Sequence, residues 1–203
     1  MTDAKAALLA AASAWAPLTE SHRHGLADIF RERTIAAREA VARPGSTRHE
    51  VLFVARGLLR FYYPGGDGRE SNKAFVGEGE FAGALASARL GVGLLYGIEA
   101  LEETTLLAAD YQDFAVLLDR QPALERLGRR LAETILARKE RRTRAFLLQS
   151  ATERYVDLRE TRPDLLQRVP QYHLASYLGV TDVHLSRIRR ELAAGVRVVS
   201  EQT

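Results

Sequence analysis

Glycine and proline divide this chain into two regimes before any other feature is considered. Between residues 34 and 118, short apolar or alternating runs are punctuated by glycine turns; from 120 to 148 the punctuation stops, save for Pro122 and Gly128. Glycine supplies backbone conformations that tight turns need, so the first pattern reads as strands joined by turns. The runs are Val51–Val54, Leu58–Tyr63, Lys73–Val76, Ile98–Leu101 and Thr105–Ala109, with Pro64-Gly65-Gly66-Asp67-Gly68 as a hairpin loop. Many short strands of this kind imply a small barrel or sandwich. In the second regime Leu124, Leu127, Leu131 and Ile135 recur at helical steps. Carried on through Ala145 and Leu148, that helix is about 25 residues, or roughly 37 Å, long. A small barrel cannot cover so long a helix, and the stripe is expected to meet its copy in a second subunit. Residues 1–33 read as helices broken at Pro17 and Gly25. Residues 150 onward return to helix, through Ala151–Arg162 and Asp164–Arg168.

The 203 residues suffice for one large or two modest domains, and 46% hydrophobic with 27% charged residues is the composition of a soluble globular protein. No apolar run approaches the roughly 18 residues of a membrane span. Ala6–Ala14 is short, only Lys5 precedes it, and no cleavage pattern follows, so it reads as a helix and the expected location is cytoplasmic. The absence of cysteine excludes disulfides, thiolate zinc sites and cysteine-ligated iron–sulfur clusters. The net charge is only +3, but its distribution is uneven. Arg126, Arg129, Arg130, Arg138, Lys139, Arg141, Arg142 and Arg144 face only Glu133 and Glu140 between residues 126 and 149, and Arg187, Arg189 and Arg190 follow. Such clustering is an electrostatic footprint for nucleic acid.

The segment Pro170 to Leu192 carries the most specific motif. Pro170 suits the first turn of a helix, Ala175 is small where two helices cross, Gly179 can end the first helix in a left-handed conformation, and Thr181 can cap the second. Leu174, Leu178, Val180, Leu185, Ile188 and Leu192 supply the inner faces. This is the plan of a helix-turn-helix, whose second helix enters the major groove with its first residues nearest the base edges. Arg187, one turn in and opposite the apolar face, is the first candidate for a base contact, because Arg can donate two hydrogen bonds to guanine. Asp182, Val183, His184 and Ser186 are the other groove-facing candidates. Gln171, Tyr172 and Thr181 are placed for phosphates, and Arg189 and Arg190 for the DNA backbone.

At this point the sequence resembles the Crp/Fnr family of bacterial transcription factors. Three stretches carry the likeness: Leu52 to Tyr63 with Asp67-Gly68-Arg69-Glu70, then Gly77-Glu78-Gly79-Glu80-Phe81-Ala82-Gly83, then the helix-turn-helix with Leu185-Ser186-Arg187-Ile188. The resemblance implies an α+β protein: an N-terminal double-stranded β-roll, jelly-roll-like, a long dimerisation helix, and a C-terminal winged helix-turn-helix. Only eleven residues follow Leu192, so the wing, with one strand at Arg197-Val198-Val199, is expected to be short. The implied division is 1–118 as a cyclic-nucleotide-binding-like sensory domain, 119–149 as the dimerisation helix and 150–203 as the DNA-binding domain. The implied partners are a palindromic duplex, a second copy of the chain through the 120–148 helix, and RNA polymerase; no membrane is expected.

Two departures from the family pattern bear on function. Members that bind cyclic AMP have Glu after the cassette glycine and an Arg-Ser or Arg-Thr pair for the phosphate. Here Ala84 follows Gly83, and the later stretch reads Leu94-Leu95-Tyr96-Gly97-Ile98. A buried phosphate needs paired charge or donors, so cyclic AMP is not expected to bind, and no cofactor is assigned. An uncharged ligand near Gly83, Ala84, Leu85, Leu95 and Tyr96, or no ligand at all, are the open alternatives. Many relatives have Glu at the place of Val183, so the half-site is expected to differ at that base pair.

Other chemistries are weaker. His22, His24 and His49 could in principle serve haem, but isolated histidines are usually surface residues, and His22 and His24 point to different sides of a helix. The glycines of residues 77–83 are misplaced for a dinucleotide loop. Glu99, Glu102 and Glu103 converge with no nucleophile, base or metal ligand, and read as a solvated acidic turn rather than a catalytic site. No metal site and no enzyme activity are expected. The alternative to a regulator is a sensory or interaction module that binds a small ligand without specific DNA binding.

Overall fold

The unbroken apolar run Val51–Val54 follows from a strand covered on both faces, which leaves no position for polar alternation. A computed structural model describes residues 1–66 and 68–194. Its strands are β1 (Arg31–Ile35), β2 (Ala40–Ala42), β3 (Glu50–Arg56), β4 (Leu59–Pro64), β5 (Glu70–Val76), β6 (Phe81–Gly83), β7 (Gly97–Ala100) and β8 (Thr104–Asp110). They form two four-stranded sheets, ordered β1-β8-β3-β6 and β2-β7-β4-β5. In the first, Phe53 stands opposite Leu107 on one side and Phe81 on the other. Val51, Phe53, Phe81, Leu107 and Ala109 join a core with the helices, while Leu52, Val54, Ala82, Leu106 and Ala108 join a second core with Leu59, Phe61, Ile98 and Ala100 of the other sheet.

The helices are α1 (Asp3–Trp15), α2 (Glu20–Ile29), α3 (Leu85–Leu90), α4 (Tyr111–Arg120), α5 (Pro122–Leu148), α6 (Ala151–Thr161), α7 (Pro163–Arg168), α8 (Gln171–Leu178) and α9 (Asp182–Ala193). Leu8 and Leu9 of α1, Leu26 of α2 and Phe114 of α4 pack into the core shared with the first sheet. Thr19 begins α2 by accepting from the His22 amide, while its own amide donates to His22 Nδ1. That contact gives His22 a structural role, and His24 lies 3.4 Å from Glu20 on the same helix. By contact the chain divides into two compact units: residues 1–69 with 73–136, and residues 70–72 with the chain from Ala137 onward. Among the described residues, no helix is long and apolar enough to cross a membrane.

Several expectations change here. Gly25 does not break a helix: α2 runs through it. A Cβ at Gly25 would stand 3.1 Å from the Leu117 side chain, so the glycine serves close packing on α4. The first sheet opens at Arg31, ahead of the boundary expected near residue 34. Glu99 is not in a solvated turn but in β7, where both carboxylate oxygens accept from the buried Arg60 at 3.0 Å. The leucine stripe of α5 is also placed differently. Leu124, Leu127 and Leu131 are fully buried, and Ile135 packs beside them, in the core of this chain's own first sheet and helices. That burial stabilises the fold by roughly 1.5–3 kcal/mol per leucine, and the stripe is unavailable to a second subunit. The expected strand at Arg197-Val198-Val199 lies outside the described residues.

Candidate functional site

Gly179 fixes the junction of α8 and α9. It caps α8 in the left-handed region, at φ 71° and ψ 35°, and its amide donates back to the Ser176 carbonyl. Only glycine takes this conformation without steric cost. Two residues later Thr181 begins α9, its hydroxyl accepting from the His184 amide. Leu174, Ala175 and Leu178 of α8 and Leu185 and Ile188 of α9 are buried between the elements of this unit. Val180 and Leu192 are half-buried at its margin. Pro170 precedes the first helical turn instead of entering it, and its carbonyl accepts from His173 and Leu174.

Packing on the inner face leaves an outer face of defined chemistry. Asp182, Val183, Ser186, Arg187, Arg189 and Arg190 are exposed, and Val183 is 80% so. His184 is half-buried. Arg187 lies 3.8 Å from Glu191 in an exposed i,i+4 pair, a contact too weak to hold it away from a ligand. Tyr172 is exposed. Gln171 does more than face solvent: its Nε2 donates to Ser186 Oγ at 2.7 Å and to the Asp182 carbonyl at 3.3 Å, and its Oε1 accepts from Arg189 at 3.2 Å. It therefore bridges α8 to the outer face of α9 and sets where Ser186 and Arg189 stand. Sequence spacing put Gln171 beside these residues but could not reveal the bridge.

The pair of helices is held from behind by Arg154 of α6, which sequence reasoning did not single out. Its Nε donates to the Leu178 carbonyl at 3.1 Å and its NH1 to the Gln149 carbonyl at 2.6 Å. A cation here meets the unpaired carbonyls that end α8 and α5, the negative poles of two helices. The guanidinium also stacks on Phe146 at 4.7 Å. Its burial draws its pKa below the usual arginine value. Arg142 stacks on Phe146 at 4.6 Å and on Tyr177 at 4.3 Å. Ser150 starts α6 with a reciprocal cap to Glu153, whose carboxylate those bonds hold below its ordinary pKa.

The second group of candidates lies in the roll. Gly83 ends β6, Ala84 precedes α3 and is buried, and Leu85 packs at the edge of the helical core. Tyr96 is buried, and its hydroxyl donates to the Gly83 carbonyl at 3.2 Å. Its ring lies 5.7 Å from Phe61 and edge-on to Tyr63 at 6.1 Å. Burial, with Tyr63 adding to it, pushes the Tyr96 phenol up to about 12. Leu95 does not join them: it is 66% exposed, and Leu94 is the buried neighbour. No basic residue stands in the stretch 94–98, yet the fold brings Lys73 of β5 to 3.5 Å from the centre of the Tyr96 ring. The sheet order, with β4 between β7 and β5, cannot be read from the sequence and makes that approach. Among the described residues no three His, Cys, Asp or Glu side chains gather as metal ligands.

Comparison with known proteins places these parts. Residues 32–121 match the family model of the cyclic nucleotide-binding domain. Among curated proteins, none matches the sequence. Among solved structures, the chain is similar to the catabolite activator protein of Thermus thermophilus, at 24% identity and TM-score 0.54 over 91% of this chain and 88% of that one. It is similar to FixK2 of Bradyrhizobium japonicum, at 16% identity and TM-score 0.66 over 86% and 90%. It also resembles a transcriptional regulator described as Crp/Fnr-family from Eubacterium rectale, at 16% identity and TM-score 0.69 over 90% and 88%. At these identities the likeness is one of fold, and the resemblance read from the sequence holds at the level of domain and fold.

Proposed function

We infer that this chain, with its cyclic nucleotide-binding domain over residues 32–121 and the fold of the Crp/Fnr regulators, is a sequence-specific DNA-binding transcription regulator that acts as a homodimer. The observation that carries the reading is the outer face of α9. Val183, Arg187 and Arg190 stand clear on a helix whose opposite face is locked by Leu185 and Ile188. A helix so held can enter a major groove as a rigid body, with Arg187 bidentate to a guanine and Arg189 and Arg190 against phosphates. Tyr172 and Thr181 approach the backbone, while Gln171 orients Arg189 and Ser186. In this reading residues 1–118 form the sensory domain, 119–149 the dimer helix and 150–203 the DNA-binding domain.

The dimer needs a face other than the buried leucine stripe. On α5 the helical period puts Arg129, Ala132, Leu136, Lys139, Thr143 and Leu147 on one side at three- and four-residue steps, and Leu136 is 65% exposed. Two copies joined there would present paired α9 helices to half-sites about 34 Å apart, one duplex turn.

Selection of bound sequences from random duplexes tests this reading. The expected product is a palindrome whose half-site departs from the common family half-site at the base pair facing Val183. Valine cannot accept a hydrogen bond from cytosine but can pack on a thymine methyl. Recovery of no enriched sequence, with no retarded band at moderate salt, would favour a sensory module without specific DNA binding.

A further inference from the structure

The residues around Gly83 and Ala84, where the sequence suggests an uncharged ligand, pack against the chain's own side chains. Leu94 and Tyr96 are buried members of the core between the two sheets, together with Ala84, Phe61 and Ile98. Tyr96 is tied down at three points. Its hydroxyl donates to the Gly83 carbonyl, at the residue that precedes α3 by two positions. Its ring meets Phe61 at a tilt and Tyr63 in a T-shaped arrangement. Lys73 covers the ring at 3.5 Å, within the range of a strong cation–π contact. One side chain, just ahead of β7, thus meets β6, β4 and β5.

From this geometry we propose that Tyr96 is a built-in occupant of the effector site, which holds the roll in one state without a diffusible ligand. The inference rests on the regulator reading above and deepens it. A ligand shifts an equilibrium only by binding two states differently. A covalently attached phenol that already makes the contacts removes that lever, because the occupant is always present. Regulation would then pass to the amount of protein in place of the amount of a small molecule.

Chemical rescue separates this from a merely structural tyrosine. The full chain is unfolded in guanidinium, refolded without small molecules, and compared as wild type, Tyr96→Ala and Tyr96→Phe. The probes are p-cresol, which is the detached tyrosine side chain, toluene, which lacks the hydroxyl, cyclic AMP and cyclic GMP. Melting temperature and affinity for the selected duplex are both read. The expected result is a stripped wild type that binds duplex fully and responds to none of the four. Tyr96→Ala should melt lower and bind duplex about tenfold more weakly, and p-cresol should restore both better than toluene. Tyr96→Phe should retain most of the melting temperature and lose only the bond to Gly83. A stripped wild type whose duplex affinity or melting temperature rises saturably with either nucleotide would overturn the proposal. So would a Tyr96→Ala protein indifferent to p-cresol. If Tyr96→Ala folds only when expressed with p-cresol, the rescue is itself the expected result; failure to fold in its presence counts against. A protein that binds no duplex in any state would sink the regulator reading, and the melting arm alone would then decide the role of Tyr96.

Discussion

Two residues, Arg187 and Tyr96, carry different kinds of consequence. Arg187 is exposed and held only by a loose pair with Glu191, so its substitution should leave folding nearly untouched. In DNA binding, Arg187→Ala is expected to cost about 1–3 kcal/mol and to relax preference at one base pair. Arg190→Ala should weaken all sequences alike, and gel shifts against a panel of single-base variants distinguish the two. Tyr96 has its consequence in stability. Its phenol is neutral to about pH 12 in the fold, against a reference of 10.0. Above pH 10 the unfolded chain loses this proton while the folded chain keeps it, which favours unfolding. The stabilisation from Tyr96 is therefore complete below pH 10 and lost as pH rises towards about 12. Denaturant titrations of wild type across that window should show a steeper fall than those of Tyr96→Phe; parallel curves would refute the assignment. The sequence grouped Tyr96 with Gly83, and the fold does bring its hydroxyl to the Gly83 carbonyl. Lys73 was not so grouped, since a contact between strands far apart in sequence leaves no periodic trace.

Among the elements, α5 shows what periodicity can and cannot reveal. Spacing of Leu124, Leu127, Leu131 and Ile135 identifies a helix with one apolar face, and the helix is there. Periodicity does not say which surface meets that face. The stripe is consumed by the protein's own core, since α1, α2 and α4 build with the first sheet a surface wide enough to take it. The strand runs were legible for a related reason: a strand buried on both sides, such as β3, is an apolar block. By contrast β1, with Arg31, Glu32, Arg33 and Thr34, and the three-residue β2 and β6 have too little apolar signal to find. The two faces of α5 give opposite expectations. Leu127→Ala should destabilise the fold by about 2–5 kcal/mol, because it opens a cavity among fully buried side chains. Leu136→Arg should leave the melting temperature of dilute protein within a few degrees and shift sedimentation towards monomer. A Leu136→Arg protein that stays dimeric would move the interface elsewhere.

For the molecule as a whole, a net charge of +3 hides the quantity that governs nucleic-acid binding, which is the number of phosphates each bound unit neutralises. The exposed cations assigned to the DNA backbone are Arg189 and Arg190 of each protomer. The hydrogen-bond partner of Arg189, the Gln171 amide, carries no charge that would compete with a phosphate. If the dimer is the binding unit, about four phosphates are engaged, and each releases close to 0.9 counterion from duplex DNA. The logarithm of affinity should then fall with the logarithm of salt at a slope of about −3.6, against about −1.8 for one protomer alone. Arg187, if it reads a base as proposed, adds little to either slope. Comparing wild type with Leu136→Arg on the same duplex therefore tests oligomer and interface together. A slope halved in the variant, at unchanged melting temperature, is the expected result. Equal slopes in two proteins of proven different mass would mean that one protomer makes all the ionic contacts, and the paired-helix reading would fall even if DNA binding stood.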